Sequence, residues 1–409
     1  VDDAAVPERI VTLDAHDALP AGARILERNE REVVANVDAL MLERMLRTGI
    51  VPHVTRSRIG FVDEDPVLRA RLQRDDARPQ ATATGFRVDE SYKDATLVEG
   101  ILRAYAKKFP DIARVVPIGE TTLGRPMLAL EIGSHRGGDV DSVLLDGAHH
   151  GGELMSIELV VDAVQQLIEG YHRDPLMTAL VDGLDIWCVP LVNVDGNMRF
   201  VHETLASTRK NVDGVDGVDL YRNYPSDWGG NGEVGSKSNP FHYKYRGPEP
   251  ASEPEIKAMM KLASDERFTS SIDYHTNSTA ILVPYTDPQM TSPDPNEAWA
   301  IARAMSDASG VQVNGRRYSV QRNLYPVDGV YQDWLRDRFG TVALLVEGPQ
   351  HNPLPYATMR AKNVDGTRPT WRTLLQRTLR GPGFVVHVRD ADGKPIEAEV
   401  VVDEQKLKM

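Results

Sequence analysis

Ser142-Val143-Leu144-Leu145-Asp146-Gly147-Ala148-His149-His150-Gly151-Gly152-Glu153 runs from a short apolar stretch into a loop of small and metal-ligating side chains. The apolar part reads as a buried strand, and Ser156 to Ile168 then carries apolar residues at helical spacing, so the loop lies at a strand-to-helix switch. Loops outside the carboxyl ends of strands in open α/β sheets converge on a crevice where ligands bind without disturbing the core. A neutral imidazole at His150 and a carboxylate at Glu153 can reach one zinc ion. Zinc that does chemistry takes three protein ligands of this kind and keeps a fourth position for water. His149 lacks the three-residue spacing to Glu153 and is expected as a structural neighbour.

Outward from this loop, helical and strand patterns alternate. Leu97, Ile101, Leu102 and Tyr105 mark a helix, Met127 to Ile132 a strand, and Leu184 to Val192 another. Ser252-Glu253-Pro254-Glu255 reads as a capped helix start with early acids and an early proline. Val342-Ala343-Leu344-Leu345-Val346 is continuously apolar, as a strand covered on both faces must be. The expected fold is α/β, a mixed, mostly parallel twisted sheet flanked by helices.

Three regions are expected. Residues 1–90 form a small N-terminal α/β extension, with a strand at Arg9 to Leu13 and periodic apolar positions from Glu32 to Leu46, closed by a polar linker over 74–90. A structural extension is the preferred reading over an inhibitory pro-segment. Residues 91–381 form the catalytic domain. Residues 382–409 form a short β segment, two alternating strands around an Asp392-Gly393 turn.

The chain has 409 residues, 41% of them hydrophobic, enough for a large core, and no apolar run of membrane-spanning length. With 60 acidic against 47 basic residues the net charge is −13, and no basic cluster could track a phosphate backbone. Nucleic acid and membrane insertion are therefore not expected. The single cysteine, Cys188, excludes an intrachain disulfide. A secreted, periplasmic or otherwise extracellular location is expected, with the signal outside this chain.

A third metal ligand is expected at His275, in another strand-to-loop switch, Ser271-Ile272-Asp273-Tyr274-His275-Thr276-Asn277. Glu347, at the end of the apolar strand, is a candidate general base, because partial burial raises a carboxyl pKa toward neutrality. Arg209 and Arg222 are guanidinium candidates suited to an oxyanion and a carboxylate.

From about Tyr92 to Leu379 the chain resembles the zinc carboxypeptidases of the carboxypeptidase A/B type. The resemblance rests on Gly124-Arg125-Pro126-Met127, His149-His150-Gly151-Gly152-Glu153, Val192-Asn193-Val194-Asp195-Gly196, Gly217 to Tyr224, and Tyr245-Arg246-Gly247-Pro248 through Glu255. Near the end, Tyr325 precedes Asp333-Trp334, and Trp334 stands thirteen residues before Glu347. The resemblance implies one zinc ion held by His150, Glu153 and His275, with Asp219 orienting His150. It further implies Glu347 as general base, Arg209 polarising the scissile carbonyl, and Arg222 with Tyr325 gripping the terminal carboxylate. The implied substrates are peptides with a free C-terminal carboxylate, cleaved at the last bond.

Two positions depart from the family pattern. Tyr221 stands where an Asn usually helps hold the terminal carboxylate, and Gly152 where digestive members carry an Arg. Gln332 aligns with the pocket floor that selects the C-terminal side chain; a neutral polar residue there favours neither apolar nor basic ends. Alternative expectations are the same chemistry on cell-wall stem peptides, a catalytically silent peptide-binding member, and a deacylase of acylated amino acids.

Overall fold

The computed structural model describes residues 8–14, 19, 24–28, 32–38, 41, 45, 53–58, 88, 90–135, 140–202, 209–214, 217–291, 296–381, 388–396, 401–402 and 407–408. Its main body is an eight-stranded sheet. The strands are β5 (Ala113–Glu120), β6 (Pro126–Ile132), β7 (Asp141–Gly147), β8 (Leu184–Val189), β9 (Ser270–Thr276), β10 (Ala280–Leu282), β11 (Ser319–Gln321) and β12 (Val342–Gly348), in spatial order β11-β10-β12-β9-β7-β8-β6-β5. The four central strands, β12, β9, β7 and β8, are parallel; β5, β6 and β10 join antiparallel. Every residue of β8 and β9 is buried, so both faces of the sheet centre are covered, and β9 buries Ser270, Ser271, Asp273, His275 and Thr276 along with Ile272 and Tyr274.

The cover comes from α1 (Ala95–Lys108), α2 (Leu154–Gly170), α3 (Pro175–Gly183), α4 (Val194–His202), α5 (Pro254–Glu266), α6 (Glu297–Ser309), α7 (Tyr331–Phe339) and α8 (Tyr356–Arg380). α2 is buried almost all round, against β7, β8, β9 and α8. Its buried acids are paired: Glu158 with Lys93 and Arg360, Asp162 with Arg368, which offsets their desolvation. Among the described residues, no helix is long and apolar enough to cross a membrane.

A second, four-stranded antiparallel sheet contains β1 (Glu8–Asp14), β2 (Arg24–Arg28), β3 (Glu32–Asp38) and β4 (His53–Arg58), in order β2-β3-β1-β4. The strand expected near Arg9 to Leu13 is β1. The apolar periodicity expected to run as one segment from Glu32 to Leu46 divides, because Val33, Val34 and Val37 lie in β3 while Met41 and Met45 are helical. Valine, branched at Cβ, is a residue type that favours strands. The linker at 74–90 lies, apart from residues 88 and 90, outside the described residues.

At the C-terminus the expected Asp-Gly turn is present, with Gly393 donating to the Asp390 carbonyl at 3.0 Å and Arg389 bridged antiparallel to Pro395. Residues 382–387 and 397–400 of the expected strands lie outside the described residues. β13 (Val401–Val402) and β14 (Leu407–Lys408) pair antiparallel beyond them. The expected cap at Ser252-Glu253 takes another form: Pro254 is the first helical residue as read, but Glu253 makes no side-chain cap bond. Its carboxylate, like that of Glu255, accepts from the Asn211 amide instead.

Candidate metal centre and substrate site

His150 follows β7, His275 is the penultimate residue of β9, and Glu347 is the penultimate residue of β12. These are the carboxyl ends of three adjacent parallel strands, the place where an open sheet forms its crevice. Glu153 occupies the N-cap position of α2 but does not cap it; its oxygens meet the imidazoles. His150 Nδ1 lies 2.7 Å from Glu153 Oε1, His275 Nδ1 lies 3.2 Å from Glu153 Oε2, and the two Nδ1 atoms are 3.1 Å apart.

Each ring's other nitrogen faces a carboxylate: His150 Nε2 is 3.2 Å from Asp219 Oδ1, and His275 Nε2 is 3.1 Å from Asp273 Oδ2. Such partners fix the ring proton on Nε2 and leave the Nδ1 lone pair facing its neighbours. Two imidazole nitrogens and a carboxylate brought within 4.8 Å need a proton or a metal cation between them, and the N/O donor set suits zinc. Burial opposes the charge on Glu153, yet His150 and His275 hold its pKa well below the usual carboxylate range. Burial likewise works to lower the His275 pKa, but Asp273 and Glu153 carry it well above the ordinary imidazole value. His149, Asp273 and His275 form an equally compact group. Both nitrogens of His149 are already engaged, with Asp273 Oδ1 at 3.2 Å and the Tyr224 hydroxyl at 2.8 Å. Burial lowers its pKa.

The His149–Glu153 loop is held by the Asn193 to Asn197 segment. Asn193 donates its amide to the His149 carbonyl at 3.0 Å and to the Arg209 carbonyl at 3.2 Å, so one side chain fixes both loops. Asn197 reaches the Gly151 carbonyl at 3.2 Å. At Gly151 a Cβ would stand 2.4 Å from the backbone of Gly196 and Asn197, so only glycine allows this approach. Ala148 has φ of 56°, a left-handed conformation unusual for alanine, just before the two histidines.

Glu347 and His275 are paired in register on neighbouring parallel strands. One oxygen of Glu347, Oε2, is buried with no hydrogen-bond partner. Burial first and the Glu153 charge second push its pKa up to about 7.

Asp219 joins two expected site residues: beyond His150 it accepts from Arg209 Nε at 2.7 Å. Burial works against its charge, but Arg209, with help from His150, holds its pKa far below normal. Arg222 is almost fully buried in the short 3-10 turn Leu220–Arg222; it donates to the Tyr221 carbonyl at 2.8 Å and to the Tyr325 hydroxyl at 3.4 Å. Tyr325 is 41% exposed and Tyr331 is buried against Tyr224 and Trp334, so Tyr325 alone of the two offers an accessible hydroxyl. Gln332 is buried in the first turn of α7, with its amide on Thr286 Oγ1 at 3.1 Å and its carbonyl oxygen accepting from the Tyr221 hydroxyl. Burial, then the Asp273 carboxylate, raises the Tyr221 hydroxyl pKa well above normal. Gly152 presents only its carbonyl, to Asn352 at 2.8 Å.

Two further residues come into this group. Asp273, two places before His275 on one strand, necessarily shares its face, and that spacing is visible in the sequence. Lys244 stacks its ammonium 4.6 Å over the Tyr325 ring and 5.4 Å over Tyr243, and no local pattern marks it.

A model of the family described as zinc carboxypeptidase matches residues 98–368. Carboxypeptidase A5 from Homo sapiens is 27% identical over 290 residues, covering 68% of this chain and 65% of that protein. Carboxypeptidase A5 from Macaca fascicularis is 26% identical over 71% of this chain and 68% of its own. Carboxypeptidase A4 from Mus musculus is 28% identical over 57% and 56%. The chain thus spans from about half to two thirds of these relatives' lengths. Among solved structures, thrombin-activatable fibrinolysis inhibitor superposes with a TM-score of 0.69 at 19% identity, over 91% of this chain and 99% of that one. Carboxypeptidase A from Helicoverpa armigera gives 0.66 at 18% identity, over 92% and 98%. At such identities the superpositions speak for the fold, whereas the family model covers well over half of the sequence and spans the ligand-bearing strand ends; the chain belongs to the zinc carboxypeptidase family.

Proposed function

We propose that the protein is a zinc-dependent metallocarboxypeptidase that hydrolyses the last peptide bond of peptides carrying a free C-terminal carboxylate. The observation that carries this is the convergence of His150 Nδ1, His275 Nδ1 and the Glu153 carboxylate, in register with Glu347. Those three residues would hold the zinc ion, with Asp219 and Asp273 orienting the rings. Zinc bound there supplies Lewis acidity that lowers the pKa of a bound water and polarises the scissile carbonyl.

The chain's own groups do the rest. Glu347 accepts a proton from the attacking water and returns it to the leaving amine; a carboxyl poised near neutrality is efficient in both directions. Arg209, held by Asp219, directs a guanidinium at the oxygen that gains charge. Arg222 binds the terminal carboxylate, and the Tyr325 hydroxyl beside it adds a donor. Carboxylate binding makes the cut exopeptidic. The N-terminal sheet is proposed as a structural extension, and secretion or periplasmic export, checked by cell fractionation, completes the reading.

The test is hydrolysis of N-blocked dipeptides, each offered as free acid and as amide, with and without a zinc chelator. Chelator-sensitive cleavage of free acids alone is the expected result. Equal cleavage of acids and amides would refute the carboxylate grip, and cleavage of acylated amino acids with none of peptides would replace the peptidase by a deacylase.

A further inference from the structure

Tyr221 is the residue that the carboxypeptidase reading leaves without a task, and both its ring and its hydroxyl are engaged. It lies between the two anchors of a bound C-terminal residue. On one side its carbonyl is tied to the Arg222 guanidinium. On the other its ring packs edge-on against His275, with centroids 4.4 Å apart, and stands 6.0 Å from the His150 ring. A peptide whose carboxylate is on Arg222 and whose last carbonyl is at the metal-ligating histidines must place its final Cα between those points. The Tyr221 ring, edge-on to His275 and His150, forms a wall along that span.

That wall is fixed. The Tyr221 hydroxyl donates to the Gln332 carbonyl oxygen, the Gln332 amide donates to Thr286 Oγ1 at 3.1 Å, and the Thr286 hydroxyl donates to Asp333 at 2.9 Å. Tyr221, Gln332 and Thr286 are 3%, 2% and 0% exposed. The chain of hydrogen bonds links the turn at 220–222 with the first turn of α7, so the phenol cannot swing aside without leaving a buried polar partner unpaired. Behind the ring lies His149, itself bonded on both ring nitrogens. The ring therefore cannot retreat.

We infer that the Tyr221 ring fills the space into which a C-terminal side chain would project, and that the enzyme therefore acts on peptides ending in small residues such as glycine, alanine or serine. The inference rests on the carboxypeptidase reading above and names its substrate class.

The experiment uses the zinc-loaded full chain and N-blocked dipeptides ending in Gly, Ala, Ser, Leu, Phe, Lys or Glu, with kcat/KM for each. Since one surplus methylene in a filled site costs roughly 10–200-fold, alanine should exceed phenylalanine by at least about 100-fold. Tyr221→Ala should raise the Phe-to-Ala ratio by about 10-fold or more. Tyr221→Phe, which keeps the ring and loses only the hydroxyl, should leave that ratio within a few-fold. A wild type indifferent to side-chain size, or one preferring large or charged ends, overturns the inference whether or not any variant folds. So does a ratio unmoved in a folded Tyr221→Ala. If the wild type cleaves no peptide, the carboxypeptidase reading fails. Calorimetric binding of the same peptides to Glu347→Gln then decides on Tyr221 separately: size-graded affinity supports the filled space, and flat affinity refutes it.

Discussion

Asp219→Asn tests the coupling between the His149–Glu153 loop and Arg209 that the proposed function requires. Asp219 uses one oxygen to orient His150 at 3.2 Å and the other to hold Arg209 at 2.7 Å. Its first oxygen also accepts from the Tyr221 backbone at 3.2 Å, which starts the turn carrying Arg222. Asparagine keeps the shape and can still cap that turn, so the fold should survive. It presents one acceptor in place of two, however, and sets an amide against either the Arg209 guanidinium or the His150 ring proton. A hydrogen bond to a charged group contributes about 1.5–3 kcal/mol, which at 1.36 kcal/mol per tenfold is roughly 10–150-fold for each partner released. Zinc affinity, measured by competition with a chromophoric chelator, should fall by about 10–100-fold, as it does when an orienting carboxylate is lost. At saturating zinc, kcat/KM should fall by a further factor of about 10 or more through Arg209, with circular dichroism unchanged. If zinc affinity and kcat/KM both stay within twofold of wild type, Asp219 does not connect the two functions, and the site does not work as described.

Glu347→Gln should lower kcat by about 10²–10⁴ while peptide binding, followed by calorimetry, persists, because the substitution removes a proton acceptor and little volume. The raised pKa of Glu347 also has a stability consequence in metal-free protein. A carboxyl whose folded pKa is about 7 against an ordinary 4.5 contributes its stability fully below about 4.5 and loses it as pH climbs through 7. Metal-free wild type should therefore lose more Tm than metal-free Glu347→Gln between pH 5 and pH 8, and parallel curves would refute the shift. Gly151→Ala drives a Cβ to 2.4 Å from the backbone of Gly196 and Asn197, so it should destabilise the fold by about 1–3 kcal/mol and lower zinc content at equal protein. A fully zinc-loaded variant of unchanged Tm would mean that the loop has slack.

What the sequence made legible follows the range over which each physical signal acts. β7 and α2 were readable because strand and helix periodicities are local, and His150 and Glu153 because three residues of loop set their reach. Glu347 stood out because an acid ending an apolar strand has few cheap explanations. The N-terminal segment from Glu32 was ambiguous because a short run of valines satisfies two periods at once, and tertiary pairing with β1 assigned Glu32 to Asp38 to a strand. Glu253 illustrates a different limit: an acid before a helical proline suits a cap, and only the arrival of Asn211 from another loop diverts it. Tyr221 and Gln332 are the sharpest instance. Read singly along the chain, Tyr221 is a departure from a family pattern that weakens the expected carboxylate grip, and Gln332 is a neutral residue aligned with a pocket floor that leaves the preferred end open. In space they are one contact, made across 111 positions of sequence. A buried phenol has to find an acceptor for its hydroxyl. Gln332 supplies that acceptor, so its neutral polar side chain is accounted for by the contact with Tyr221.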